Sequence, residues 1–187
     1  MNEHEQMECF RSALLRWNQT INLIGPEARD HLDDHIAEAI EAARILRPAG
    51  EVLDFGSGGG LPAIPMAIAA PQARFHLVEA DRRKWAFLKH VARECRLNAL
   101  VYGDRLESVL KQLPPDLRFQ LIVSRAVGSP DRWIPHLRNH IARGGRIGLF
   151  QGTPEAPVVA GFSGCETHRL PRGQSNYLAV LSFHVEQ

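Results

Sequence analysis

Apolar side chains recur at helical spacing at the start of the chain: Met7, Phe10, Leu14 and Trp17 form one stripe, and Leu32, Ile36, Ile40 and Ala43 another. Gly25 and Pro26 separate the stripes, so residues 1–50 read as a helical extension of two or three amphipathic helices. From Glu51 the rhythm changes to short apolar runs alternating with longer helical segments. Val52–Phe55 precedes a helix from about Pro62, Arg74–Val78 precedes Asp81–Arg96, and Leu100–Tyr102 precedes Leu106–Leu113. Gln120–Val123 then leads to Asp131–Ala142, and Arg146–Phe150 follows. Such repeated strand–helix units predict an α/β fold: a Rossmann-like, mostly parallel, doubly wound sheet with helices on both faces, over residues 51–187. With the extension it would form one compact domain. Pro154–Gly164 reads as loop, and Tyr177–Val185 as a last strand without a following helix, the antiparallel member of a closing hairpin.

Composition adds little to this picture and charge adds more. Apolar residues make up 44% and charged residues 23%, ordinary usage for a soluble protein, and no apolar run approaches the ~20 residues of a membrane span. The acidic N-terminus lacks the basic-then-apolar order of a secretory signal. Cys9, Cys95 and Cys165 form no C-x-x-C pair and suit free thiols in a reducing cytoplasm, where a monomer is expected. The formal net charge of +1 conceals an asymmetry: residues 51–150 alone are basic, with the clustered Arg82, Arg83 and Lys84 among them. Such a segment suits an anionic partner such as RNA, or simply a set of solvated helix faces.

The candidate chemistry lies in the turn after Val52–Phe55, which carries Gly56, Gly58, Gly59 and Gly60. In a doubly wound sheet this first turn is where glycines let a cofactor approach the backbone. A dinucleotide fingerprint needs G-x-G-x-x-G, but the sixth place from Gly56 is Leu61. The alternative D-x-G-x-G-x-G is met by Asp54, Gly56, Gly58 and Gly60, with Ser57 inside it, and resembles motif I of the class I methyltransferases. Glu79 closes the second strand, where a carboxylate accepts hydrogen bonds from a ribose diol. Two histidine pairs, His31 with His35 and His136 with His140, have helical spacing, but neither is H-E-x-x-H and no third ligand is near in sequence, so no metal site is expected.

Several segments together resemble one family, the small-subunit (16S) ribosomal RNA guanine-nitrogen-7 methyltransferases, formerly called glucose-inhibited division protein B. Trp17-Asn18-Gln19-Thr20-Ile21-Asn22-Leu23 is similar to that family's W-N-x-x-x-N-L, and His35 to a histidine in its next helix. Leu53 through Pro65 matches L-D-x-G-S-G-x-G-[FL]-P-G-I-P except for Ala63. Glu79 through Leu88 resembles D-S-x-x-K-R-x-x-F-L, and Ser124-Arg125-Ala126-Val127 matches S-R-A-V. The resemblance implies S-adenosyl-L-methionine as cofactor, with Gly56 and Leu61 lining it, Glu79 at its ribose, and Leu106 with Glu107 at its adenine edge. Asp54, Ser57, Gly58 and Gly60 would complete the cofactor turn. Arg125 would stand beside cofactor and target base as the positioning residue, while Arg83, Lys84 and Arg105 would contact phosphates of 16S rRNA or the 30S subunit. Trp17 would be core, or else a stacking surface for RNA.

The chain departs from the family pattern at Glu38-Ala39, where many members have Asp-Ser, and at Gln151, where the family usually has lysine. Guanine nitrogen-7 carries a free lone pair and no proton, so its methylation needs orientation and electrostatics rather than a general base. The competing readings are a methyltransferase for a small molecule, supported by Gln151, and a non-catalytic RNA- or ribosome-binding module with a degenerate cofactor site.

Overall fold

The computed structural model describes residues 1–125, 128–155, 157–159, 161–171 and 177–183. Three helices come first: α1 (Glu3–Trp17), α2 (Pro26–Asp30) and α3 (Leu32–Leu46). Asn2 and Glu5 form a capping box that starts α1, and Pro26 starts α2, where its missing N–H costs nothing. Strands and helices then alternate: β1 (Glu51–Phe55), α4 (Ala63–Ala69), β2 (Arg74–Val78), α5 (Arg82–Glu94), β3 (Ala99–Tyr102), α6 (Leu106–Gln112), β4 (Phe119–Arg125) and α7 (Pro130–Leu137). A short 3-10 turn, Arg138–His140, leads into β5 (Ile141–Gln151), followed by β6 (Phe162–Arg169) and β7 (Tyr177–Phe183).

The seven strands form one sheet in the order β3-β2-β1-β4-β5-β7-β6. The pairs β1–β2, β1–β4, β2–β3 and β4–β5 are parallel, whereas β7 runs antiparallel to both β5 and β6. Chain order reverses direction at the β1–β4 junction, which opens a crevice at the carboxyl ends of those strands. The two faces of the sheet are covered differently. Phe10, Leu14, Ile36, Leu46, Ile64, Leu88 and Val91 pack with Val52, Phe75, Leu77, Leu121 and Val123 on one side. Leu106, Val109, Trp133, Ile134 and Leu137 pack with Leu53, Phe119, Ile122 and Ile147 on the other. The two lists alternate along β1 and β4, the period-two signature of strands buried on both faces. The N-terminal helices α1 and α3 thus share a core with α4 and α5.

The sheet corrects three readings of the sequence. The helix expected over Asp131–Ala142 ends at Leu137, and the strand expected at Arg146–Phe150 starts at Ile141. Ile141 pairs with Phe119, and a register shift on β4 between Phe119 and Leu121 absorbs the extra length of β5. The stretch Pro154–Gly164, read as loop, includes the start of β6 at Phe162. Among the described residues this strand pairs only with β7 at the sheet's edge, so its FSGCETHR sequence lacks the apolar run of an interior strand. Of the last expected strand, residues 184 and 185 lie outside the described residues, as do Ala126 and Val127 of the S-R-A-V segment.

One residue of the W-N-x-x-x-N-L segment organises the connection between α1 and α2. Asn18 Oδ1 accepts from the backbone N–H groups of Leu23 (2.8 Å) and Ile24 (3.0 Å), while its amide donates to the Ile24 carbonyl (3.2 Å). We expect Asn18→Ala to lose about 1–3 kcal/mol, because the part-buried Ile24 N–H loses its acceptor and the Leu23 N–H loses one of two, the other being the Ile21 carbonyl. Urea titration with limited proteolysis would check it; an unchanged midpoint and no new cleavage between residues 18 and 24 would refute it.

Candidate active site

The first turn is built on backbone hydrogen bonds across the top of the sheet. The N–H groups of Gly56 (2.8 Å) and Ser57 (3.2 Å) both donate to the Val78 carbonyl at the end of β2. Ser57 Oγ donates towards the Asp54 carbonyl at 3.2 Å, and Ser57 itself is buried. The glycines then divide their tasks. Gly56 is exposed and adopts φ +66°, a left-handed conformation that glycine enters without a Cβ clash. Gly58 turns its N–H onto Glu79 Oε2 at 2.8 Å. Gly59 and Gly60 face inward, where a Cβ would meet Ile24 and Ile64 respectively.

Glu79 is the hub of this arrangement. Its Oε2 accepts from Gly58 and its Oε1 accepts from the Asp81 N–H at 2.8 Å, so one carboxylate ties the glycine turn to the start of α5. Asp81 in turn caps α5 by accepting from the N–H groups of Arg83 (2.8 Å) and Lys84 (3.1 Å), contacts that hold its own carboxyl below the usual range. Each Glu79 oxygen retains a second lone pair.

A cleft of about 360 Å³ opens beside Glu79, lined by Phe55, Gly56, Val78, Glu79, Ala80, Asp104, Arg105, Leu106, Glu107, Arg132 and Trp133. Its size is that of a small-molecule site. It gathers five residues singled out from the sequence: Gly56, Glu79, Arg105, Leu106 and Glu107. Asp54, Ser57, Gly58, Gly60, Leu61 and Arg125 are not among its lining residues. Leu61 instead packs against the core on the side of α1 and α4. Arg83 and Lys84 line a separate hollow with Ile21, Asn22 and Asp81. The side chains of Arg83, Lys84 and Arg105 form no ion pair among the described residues. Trp17 lies against Phe87 (5.8 Å between ring centroids) and His90 (5.4 Å), packed on the core.

A second hollow, of about 200 Å³, lies over the ends of β4 and β5 and is lined by Ser124, Gly128, Pro130, Trp133, Leu149, Phe150, Gln151 and Pro157. Trp133 borders both spaces and sits edge-on to Phe55 at 4.8 Å. Sequence reasoning did not single it out, although its place in the helix after β4 puts it at the switch point. Gln151 uses its amide to donate to the carbonyls of Thr153 and Glu155, both at 2.7 Å, and so pins the chain leaving β5.

Asp54 is 2% exposed and its Oδ2 has no hydrogen-bond partner among the described residues. Burial, aided by the nearby charge of Glu79, pushes its pKa up to about 7. A group raised in the folded state favours folding below its unfolded pKa, and that contribution is lost as pH rises from about 4 through about 7. His76 is lowered by burial and acts in the opposite sense, losing its contribution as pH falls below its unfolded value. Only comparison with Asp54→Asn isolates the first effect. We expect the wild type to lose more stability between about pH 5 and about pH 8 than this variant does, as read by urea titration. Parallel pH profiles would contradict the assignment.

The orphaned Asp54 oxygen, the exposed left-handed Gly56 and the spare lone pairs of Glu79 fit a nucleoside-bearing cofactor with a cationic group. The chain matches the model of the family described as rRNA small subunit methyltransferase G over residues 3–160. It is 36% identical over 146 residues to ribosomal RNA small subunit methyltransferase G of Ruegeria sp. (strain TM1040), covering 75% of this chain and 69% of that one. The protein of the same name from Paracoccus denitrificans (strain Pd 1222) is 33% identical over 153 residues, covering 80% of this chain and 77% of that one. Among solved structures, a mutant of MtNAS in complex with S-adenosylmethionine has a TM-score of 0.62 at 18% identity, covering 97% of this chain and 72% of that one, a likeness of fold.

Proposed function

Because the chain belongs to the rRNA small subunit methyltransferase G family, we propose that it transfers a methyl group from S-adenosyl-L-methionine to small-subunit rRNA, at nitrogen-7 of a guanine. Family membership over residues 3–160 is the observation that carries this reading. The cleft beside Glu79 supports it, because a carboxylate at the end of β2 with free lone pairs is the chemistry that grips a ribose diol. An rRNA substrate would put the enzyme in the cytoplasm, and no helix among the described residues is long and apolar enough to cross a membrane.

Bound S-adenosylmethionine supplies an electrophilic methyl group on a sulfonium. The residues of the chain have four tasks around it. Glu79 would hold the ribose, Gly56 would let the cofactor lie against the backbone, and Leu106 with Glu107 would flank the adenine. Asp54, once ionised, would offset the cofactor's positive charge. The hollow of Ser124, Trp133, Phe150 and Gln151 is suited to a flat base brought out of its stack, and Arg125 closes β4 next to Ser124 in the chain. Guanine nitrogen-7 carries no proton, so no residue has to remove one, and rate would come from holding the base in line and keeping water out. Exposed Arg83 and Arg105, with Lys84, would bind phosphates of the rRNA without reading its sequence.

Incubating the protein with methyl-labelled cofactor and either 30S subunits or naked 16S rRNA tests the proposal. Label should appear in rRNA as 7-methylguanosine. Label absent from both RNAs, with cofactor binding demonstrated by calorimetry, would redirect the reading to a small-molecule acceptor.

A further inference from the structure

A buried polar cluster stands on the face of the sheet covered by α1 and α3. Leu121 and Val123 of β4 point to that face, and the strand's alternation sends Arg125 the same way. There Arg125 Nη2 lies 2.8 Å from His35 Nδ1, and His35 Nδ1 lies 3.2 Å from Glu38 Oε2. His35 Nδ1 either accepts a hydrogen bond from Arg125 or donates one to Glu38, according to its tautomer, and the three side chains are packed together in either case. Glu38 is 1% exposed. Its Oε1, like Arg125 Nη1, is buried and without a hydrogen-bond partner among the described residues.

Stability gives no reason for the buried charge pair as a whole. Each buried charge incurs a desolvation penalty, and well-packed apolar residues in place of both Glu38 and Arg125 would serve folding as well. Electrostatics at the reacting base does give one. Alkylation of nitrogen-7 makes the guanine cationic, and an uncompensated guanidinium beside it would oppose that charge. Burial also works against the charge of Arg125, while the charge of Glu38 favours it. Glu38 therefore compensates the buried charge of Arg125 where it stands.

We propose that Glu38 is a positioning residue for the methyl transfer: packed with His35 and Arg125 in one buried cluster, it fixes the guanidinium at the carboxyl end of β4. This rests on the reading above that Arg125 stands beside the target base. From α3 the Glu38 carboxylate comes within 3.2 Å of His35.

The test is single-turnover and steady-state methylation of 16S rRNA by Glu38→Gln, Glu38→Asp, Arg125→Lys and Glu38→Gln/Arg125→Lys, with cofactor affinity measured by calorimetry. Glu38→Gln is expected to lower kcat roughly tenfold to a hundredfold while changing cofactor Kd by less than about threefold, since the cleft beside Glu79 is untouched. Glu38→Asp, which keeps the charge, should recover most of the rate. The double variant should be no slower than Arg125→Lys alone, because Glu38 acts through Arg125. Full activity in Glu38→Gln, an aspartate variant as slow as the glutamine one, or additive losses in the double variant would each overturn the proposal. If Glu38→Gln fails to fold, the same cycle is run with Glu38→Met, which also removes the charge at similar length, and judged by the same additivity. A wild type that binds cofactor but labels no rRNA would instead overturn the substrate reading, and the proposal with it.

Discussion

Replacing Glu79 with alanine should abolish useful cofactor binding and weaken the fold at the same time. The two effects have separate causes. Glu79 accepts the N–H groups of Gly58 and Asp81, both at 2.8 Å, and an alanine leaves these donors without a partner at about 1–3 kcal/mol each. Loss of the charged acceptor for two ribose hydroxyls adds about 3 kcal/mol of binding, so cofactor Kd should rise roughly a hundredfold or more. Removing the Glu79 charge also relieves one of the influences that raises Asp54, partly offsetting the loss of stability above neutral pH. Calorimetry with S-adenosylmethionine and urea titration separate the two effects. A Glu79→Ala protein that binds within about threefold of the wild type would refute the role given to this carboxylate.

Gly60→Ala should be among the most destabilising single changes in the chain, whereas Gly58→Ala, two residues away, should be mild for folding. Both positions have left-handed backbone, with φ +82° and +53°, so each alanine incurs about 1–2 kcal/mol of strain. Space decides the rest. A Cβ on Gly60 would stand 2.5 Å from Ile64 Cγ1 and 3.4 Å from Phe10 and Leu88, all of them fully buried and unable to give way. Overpacking of this kind adds about 1–3 kcal/mol, for a total of roughly 2–5 kcal/mol. A Cβ on Gly58 meets nothing closer than the Gly56 carbonyl at 3.7 Å. Urea midpoints of the two variants should differ accordingly, and equal midpoints would show that the interior packing of Gly60 does not matter.

Much of the fold was legible before any coordinate. The interior parallel strands β1, β2 and β4 are apolar runs because both their faces are covered, and they stand out against the longer helical periods between them. The spacing of Asp54, Gly56, Gly58 and Gly60 separated the turn from a dinucleotide fingerprint. The edge strand β6 was not legible, since a strand paired on one side keeps polar residues and mimics a loop. Nor was the end of α7: Ile141 continues the apolar period of the helix and yet begins β5, a choice made by its pairing with Phe119.

Within the candidate site, sequence alone determined which residue types stand near the carboxyl ends of the strands: the glycine turn, the acid closing β2 and the arginine closing β4. Local pattern suffices for this because strand ends and turns are set by neighbours in the chain. Only the tertiary structure decided what each residue does. It assigned Gly56 to the cleft and Gly60 to the core, engaged Glu79 with two backbone donors, and turned the amide of Gln151 onto its own loop. It also joined His35 of α3 to Arg125 of β4. The spacing of a motif fixes the order in which side chains arrive, but partners that meet through packing share no period in the chain.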